Sequence, residues 1–220
     1  MLNALIATKA SVTIHDAHGR TPLILASRNG HTAAVEVLLA ARASVRARDD
    51  EGISALAEAA RCGHTSVLEL LIAAKAPLNT ETIKGRTPLM LAVNAGHIDV
   101  LQLLVDAGAD LDAYNAEGST ALILAVSKGR ADMVKMLVDA KASLDEQNRN
   151  LDTALIVAAS NGCLKIVRLL LNAGADSSLM NKQGKTALDA AKESDYDYIV
   201  ELLRGEELEK AGDRGDEGSA

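Results

Sequence analysis

The chain has 220 residues and a formal net charge of −7. It contains no Phe, no Trp and three Tyr, so it lacks the aromatic bulk that a single large core draws on, whereas Leu, Ile, Val and Ala suffice to fill a row of thin helix layers. The acidic balance argues against a general nucleic-acid binder, and no apolar stretch approaches the length of a membrane span. The charge is graded, with a net of +4 over residues 1–48, −7 over 49–204 and −4 over 205–220.

One pattern returns every thirty-three residues without insertion or deletion. Its glycine is Gly19, Gly52, Gly85, Gly118, then Leu151 in exception, then Gly184. Two residues on stands Thr21, Ser54, Thr87, Thr120, Thr153 or Thr186. A fixed period of this length marks stacked supersecondary units. The hydroxyl suits a helix N-cap, and Pro22 and Pro88 follow at the first helical position, where a missing N–H costs nothing. The other four units carry alanine there, the best helix former. About nine residues later Gly30, Gly63, Gly96, Gly129 and Gly162 offer the left-handed stop of a short helix.

Met1 to Ala7 aligns with the second helix of a unit whose first helix is missing. The segment is expected either to belong to a longer array or to act as a crude cap, and the first reading is preferred. Each later unit should run hairpin tip, first helix, tight turn, second helix, loop. The second helices show amphipathic spacing, as in Val35, Leu38, Leu39 and Val134, Leu137, Val138. Asp16, Asp49, Asn115, Asn148 and Asn181 precede the hairpin glycine by three and suit a turn capped by a short polar side chain. In the fifth unit Leu151 would cost about 1–2 kcal/mol in a left-handed conformation. Asn150 is therefore expected to take that place and to make this tip differ. Lys192, Glu193, Asp195 and Asp197 give the sixth unit a polar outer side. The glycine- and acid-rich segment 205–220 is expected to be disordered.

The sequence G-x-T-P-L-x-x-A, then G-H, then an apolar run such as Val100-Leu101-Gln102-Leu103-Leu104, then Gly108-Ala109-Asp110, resembles the ankyrin repeat. The resemblance covers Met1 to Arg204 and implies an all-α ankyrin-repeat solenoid of helix-turn-helix units with hairpin tips. A half-repeat over 1–16 would be followed by repeats starting near 17, 50, 83, 116, 149 and 182, and the acidic tail would begin at 205. The family usually carries His after T-P-L. Here that place holds Ile24, Ala57, Met90, Ile123, Ile156 and Asp189, so apolar packing replaces those hydrogen bonds in most repeats.

Cys62 and Cys163 lie three repeats apart. With helix layers ~8–10 Å apart, they fall far beyond the ~7 Å Cα limit of a disulfide. Free thiols fit a reducing compartment, the cytoplasm or the nucleus, and no secretion signal starts the chain. Gly184-Lys185-Thr186 ends like a phosphate-binding loop, but Leu179 stands where the first glycine is needed, so a hairpin glycine and a helix cap are expected instead. Arg214-Gly215-Asp216 is read as accidental. His31, His64 and His97 recur at one repeat position. Equivalent side chains on successive layers hardly converge on ligand distances near 2 Å, so local bonding at the start of the second helix is expected rather than a metal. Glu58 is expected on the inner side of its first helix, in a salt bridge with Arg28 or Arg61. No catalytic set emerges, and neither an enzyme nor a cofactor is proposed.

In ankyrin repeats partners are usually held by hairpin tips and the exposed ends of the first helices. Over those positions this chain carries a net of +4. The resemblance therefore implies a monomeric, non-catalytic scaffold for a protein partner with an acidic surface or peptide, and neither nucleic acid nor membrane. The candidate contacts are His18, Arg20, Arg28, Ile53, Arg61, Lys84, Arg86, Lys128 and Arg149, densest at the four arginines of the first three repeats. Two readings stand beside it: a targeting or regulatory module of a larger protein, and a solvated surface whose charge segregates without function.

Overall fold

The computed structural model describes residues 12–213, with side chains to 205. Twelve helices occur among the described residues, and they alternate short and longer in the thirty-three-residue frame. They are α1 (Pro22–Arg28), α2 (Thr32–Ala40), α3 (Ala55–Cys62), α4 (Thr65–Ala73), α5 (Pro88–Ala95), α6 (Ile98–Asp106), α7 (Ala121–Ser127), α8 (Ala131–Asp139), α9 (Ala154–Ser160), α10 (Leu164–Asn172), α11 (Ala187–Glu193) and α12 (Asp197–Asp213). The chain forms two compact units, Met1–Ala116 and Glu117–Ala220.

Each odd-numbered helix starts the same way. The Thr or Ser side chain accepts the N–H three residues on, at 3.1–3.3 Å, in all six repeats. Asp189 adds the reciprocal arm of a capping box, accepting from the Thr186 N–H and hydroxyl. Where the family's histidine would stand, Ile24, Ala57, Met90, Ile123 and Ile156 are buried, so the hydroxyl cap and apolar packing together fix this end of the hairpin.

In the first unit α1, α3 and α5 pack in a row, α2, α4 and α6 in a second row, and each pair closes on itself. The core between the rows is aliphatic, and Leu56, Leu68 and Leu71 are fully buried, each contributing ~1.5–3 kcal/mol. The second unit repeats this arrangement, with α7, α9 and α11 in one row and α8, α10 and α12 in the other. Val134, Leu137 and Val167 are fully buried in its core.

Neighbouring tips are tied by backbone bonds: Asp50 N–H to His18 C=O (3.1 Å), Ile83 to Glu51 (2.9 Å) and Ala116 to Lys84 (3.0 Å) in the first unit. Arg149 to Glu117 (3.1 Å) and Lys182 to Asn150 (2.9 Å) continue the scheme in the second. A second tie joins the turns between helices. The ring of His64 covers Gly30 and that of His97 covers Gly63, so a Cβ on either glycine would stand 2.7 Å from ring atoms; Tyr196 covers Gly162 in the same way. His64 Nε2 lies 3.0 Å from the Arg28 carbonyl, which only accepts, so that nitrogen donates. The expectation that these histidines bond at the start of their own helices is thereby corrected. His31, His64 and His97 make no side-chain cap, and the structure places the rings of His64 and His97 on the preceding repeat.

Two further expectations change. Leu151 itself takes the left-handed conformation, with φ of 59°, and the fifth tip keeps the form of the others. Asn148 Oδ1 accepts the N–H groups of Asn150 (2.8 Å) and Asp152 (3.0 Å), as Asp49 Oδ1 does for Glu51 and Ile53. Gln147 Nε2 also holds the Leu151 carbonyl at 2.7 Å. This bonding over-determines the turn and outweighs the strain of one exposed leucine. The last helix runs past Arg204 to Asp213, so the first part of the segment expected to be disordered is helical. Its Glu-Glu-Leu-Glu-Lys-Ala sequence consists of good helix formers. Residues 1–11, with the half-repeat helix, and 214–220, with Arg214-Gly215-Asp216, lie outside the described residues.

Candidate partner-binding groove

The tips and inner helix faces of the first unit enclose an open groove of ≈ 510 Å³. Its lining includes seven of the nine candidate residues: His18, Arg20, Arg28, Ile53, Arg61, Lys84 and Arg86. The hairpins supply His18 and Arg20, Ile53, and Lys84 and Arg86, held in register by the backbone ties between tips. Arg28 ends α1, and Arg61 lies in the last turn of α3. Lys128 and Arg149 belong to the second unit, where Lys128 caps the C-terminus of α7 and Arg149 lies in the fifth tip. Both are exposed, and they stand apart from this groove's lining.

The cations of the groove fall into two groups. Arg20 is closed by Asp16, with Nε at 2.8 Å and Nη2 at 2.6 Å from Oδ2. That side-chain bond, helped by the His18 and Arg20 N–H groups, holds the Asp16 carboxyl well below the usual carboxylate range. Arg61 is closed by Glu58, its Nε and Nη2 at 2.9 and 2.5 Å from Oε2. Glu58 is thus on the inner side of its helix as expected, with Arg61 rather than Arg28 as its partner; its side chain is 3% exposed against 39% for Arg61. The choice follows from position, since three residues along one helix bring the two heads together. Arg28, Lys84 and Arg86 form no ion pair among the described residues.

The lining also holds residues that a tip-by-tip count of charge leaves out. Asp49 and Glu58 line the groove beside Asp50 and Glu51, so four acids face five lysines and arginines, and the local excess is smaller than the sequence suggests. Ile83 was recognisable as a tip residue but not as a contact; it is 72% exposed. Leu91 of α5 completes the apolar part of the lining.

Elsewhere the motifs resolve into structure. Gly184 is a hairpin glycine with φ of 71°, and Thr186 caps α11. Cys62 and Cys163 carry free thiols. Among the described residues no three His, Cys, Asp or Glu side chains gather where they could hold a metal ion, and no helix is long and apolar enough to cross a membrane.

Comparison with known proteins agrees with this architecture. The family described as ankyrin repeats in three copies matches residues 1–82, 73–148 and 140–211. Among solved structures, the ankyrin repeat domain of Bcl-3, described as a unique member of the IkappaB protein family, superposes with a TM-score of 0.84 at 32% identity. The match covers 92% of this chain and 90% of that one. No curated protein matches the chain closely.

Proposed function

The chain belongs to the ankyrin-repeat family, and from that premise we propose that it is a non-catalytic interaction module that holds an acidic segment of a protein partner in the groove of its first unit. The observation that carries the proposal is the convergence of Arg28, Lys84 and Arg86 on one groove with no carboxylate of their own. Arg20 and Arg61 shape the groove and contribute little attraction, because Asp16 and Glu58 already answer their charge. The two long side chains are held by these pairs, so a partner orders less on binding. Tyr and Trp anchors, common in tight interfaces, do not line the groove, and recognition rests on charge with modest affinity and strong salt dependence.

The test is capture of partners from native extract by the full chain, against a variant with Arg28→Glu, Lys84→Glu and Arg86→Glu. Partners bound by the wild type should be lost from the variant and should elute as salt is raised. Equal capture by a variant that melts like the wild type would sink the proposal.

A further inference from the structure

We infer that the groove reads direction as well as charge. Its segment carries a large apolar side chain with an acidic group on one side and a basic group on the other. The inference rests on the proposal that this groove holds the partner.

The backbone ties fix the order of side chains along the rim. Glu51 C=O accepts from Ile83 N–H, and Lys84 C=O accepts from Ala116 N–H. Travelling along the tips one therefore meets Asp50 and Glu51, then Ile83, then Lys84. Asp50 and Glu51 are exposed and form no ion pair among the described residues. Asp49 is different, because its Oδ1 is occupied by the N–H groups of Glu51 and Ile53 at 3.0 and 2.8 Å. On the far side of Ile83, Lys84 is equally unpaired. Between the two charges stands an isoleucine that is 72% exposed on a bonded backbone. A β-branched side chain is stiff at χ1, so Ile83 is a preformed apolar contact that loses little freedom on binding. Ile53 and Leu91 line the same groove.

A wholly acidic segment would meet Lys84 and Arg86 favourably and be repelled by Asp50 and Glu51; a wholly basic one would meet the reverse. Only a segment with its acid towards the third hairpin and its base towards the second satisfies both sides. Repulsion of the opposite order then sets orientation, since discrimination uses unfavourable contacts as much as favourable ones.

The test is selection from a displayed library of random peptides by the full chain. Recovered peptides are then synthesised in both sequence directions, and their affinities are measured by fluorescence anisotropy. The inference expects peptides in which one apolar residue separates acid from base in one consistent direction, with the reversed peptide at least tenfold weaker. A variant carrying Asp50→Lys, Glu51→Lys, Lys84→Glu and Arg86→Glu should prefer the reversed peptide, and Ile83→Asp should lose about tenfold for either. All substituted side chains are on the rim, and a thermal melt of each variant checks its fold. Acid-only peptides that bind the wild type as tightly as the selected ones, and gain nothing from Asp50→Lys with Glu51→Lys, would overturn the directional inference and leave the acidic-partner proposal standing. Peptides indifferent to the Arg28, Lys84 and Arg86 reversal, or the recovery of none, would overturn both.

Discussion

Along the inner face of the first unit the short-helix row reads Leu25, Glu58, Leu91, and the helix ends read Arg28, Arg61, Asn94. The same places in the second unit read Leu124, Val157, Ala190 and Ser127, Ser160, Glu193. The backbone underneath is the same, with equivalent caps, turns and ties between tips. In the second unit the Ser127 and Ser160 hydroxyls bond back to the carbonyls of Leu124 and Val157 at 2.9 and 3.0 Å, and Lys185 is closed by Glu193 at 2.5 Å. These helix-end polar groups are satisfied from within. The first unit retains Arg28, Lys84 and Arg86 unpaired, so the repeat sets the frame while a handful of substitutions decides which part of it recognises anything.

Reversal of charge gives the largest contrast between the units. Arg28→Glu, Lys84→Glu and Arg86→Glu together should weaken partner binding on the order of a thousandfold, at roughly tenfold for each contact. Lys128→Glu with Arg149→Glu in the second unit should change it less than about threefold, as exposed charges outside an interface do. Calorimetric titration with a captured partner distinguishes them, and a comparable loss from the second pair would move the site.

Glu58 sharpens the comparison at the level of stability. Arg61→Ala leaves a carboxylate that is 3% exposed without its cation and should cost about 2–3 kcal/mol in urea unfolding. The cost falls at or below the bottom of the usual range of about 3–5 kcal/mol because Arg61 is itself partly exposed. Glu58→Leu puts at the buried place the residue found in both flanking repeats, Leu25 and Leu91, and leaves Arg61, 39% exposed, to water, so it should be neutral or stabilising. A large loss from Glu58→Leu would mean that the ion pair supports the fold and is not there for the groove.

The architecture was legible because each repeat states it again: cap, proline or alanine, turn glycine, amphipathic helix. Six in-phase copies leave little room for another register. Less legible was everything that depends on a neighbouring repeat. That the His64 ring lies on Gly30 cannot be read from either residue, since the contact joins positions one layer apart. Leu151 looked incompatible with its turn because the rule for a lone left-handed leucine ignores the Asn148 side chain that clamps the turn. The cations of the candidate site were readable as a set. Which of them are already neutralised was not, because the Asp16–Arg20 pair is made across the curl of a hairpin.

The turn glycines test those contacts between layers directly. Gly30→Ala in the first unit must accommodate a left-handed alanine and displace the His64 ring, losing the bond to the Arg28 carbonyl; about 2 kcal/mol is expected. Gly129→Ala in the second unit has nothing within 4 Å of the new Cβ and should cost about 1 kcal/mol from backbone strain alone. Equal costs would show that the ring contact contributes nothing. In the opposite direction, Lys75 and Lys141 end α4 and α8 with φ of 58° and 68°, where Gly108 and Gly174 do the same after α6 and α10. Lys75→Gly and Lys141→Gly should each raise stability by somewhat under 1 kcal/mol, the relief of strain being offset by the greater freedom of glycine when unfolded.

The smallest effect is expected at the first hairpin, and its sign is fixed by Asp16. Its carboxyl titrates below the ordinary value of 3.8 because the Arg20 side chain bonds its ionised form. A group with a lowered folded value contributes stability that is complete above the ordinary value and is lost as pH falls through the folded one. Stability should therefore be level in this respect above about pH 4 and decline in more acidic solution, and Asp16→Asn should remove that part of the decline while keeping an oxygen for the His18 and Arg20 N–H groups. Asp189 in the second unit is lowered in the same direction, chiefly by the Thr186 hydroxyl, so a global melt mixes both. Carboxyl carbon shifts followed by NMR separate them, and an Asp16 that titrates at its ordinary value would mean that Arg20 is not closed by it. In that case Arg20 would join Arg28, Lys84 and Arg86 as a cation open to the partner, and its reversal would then cost as much binding as theirs.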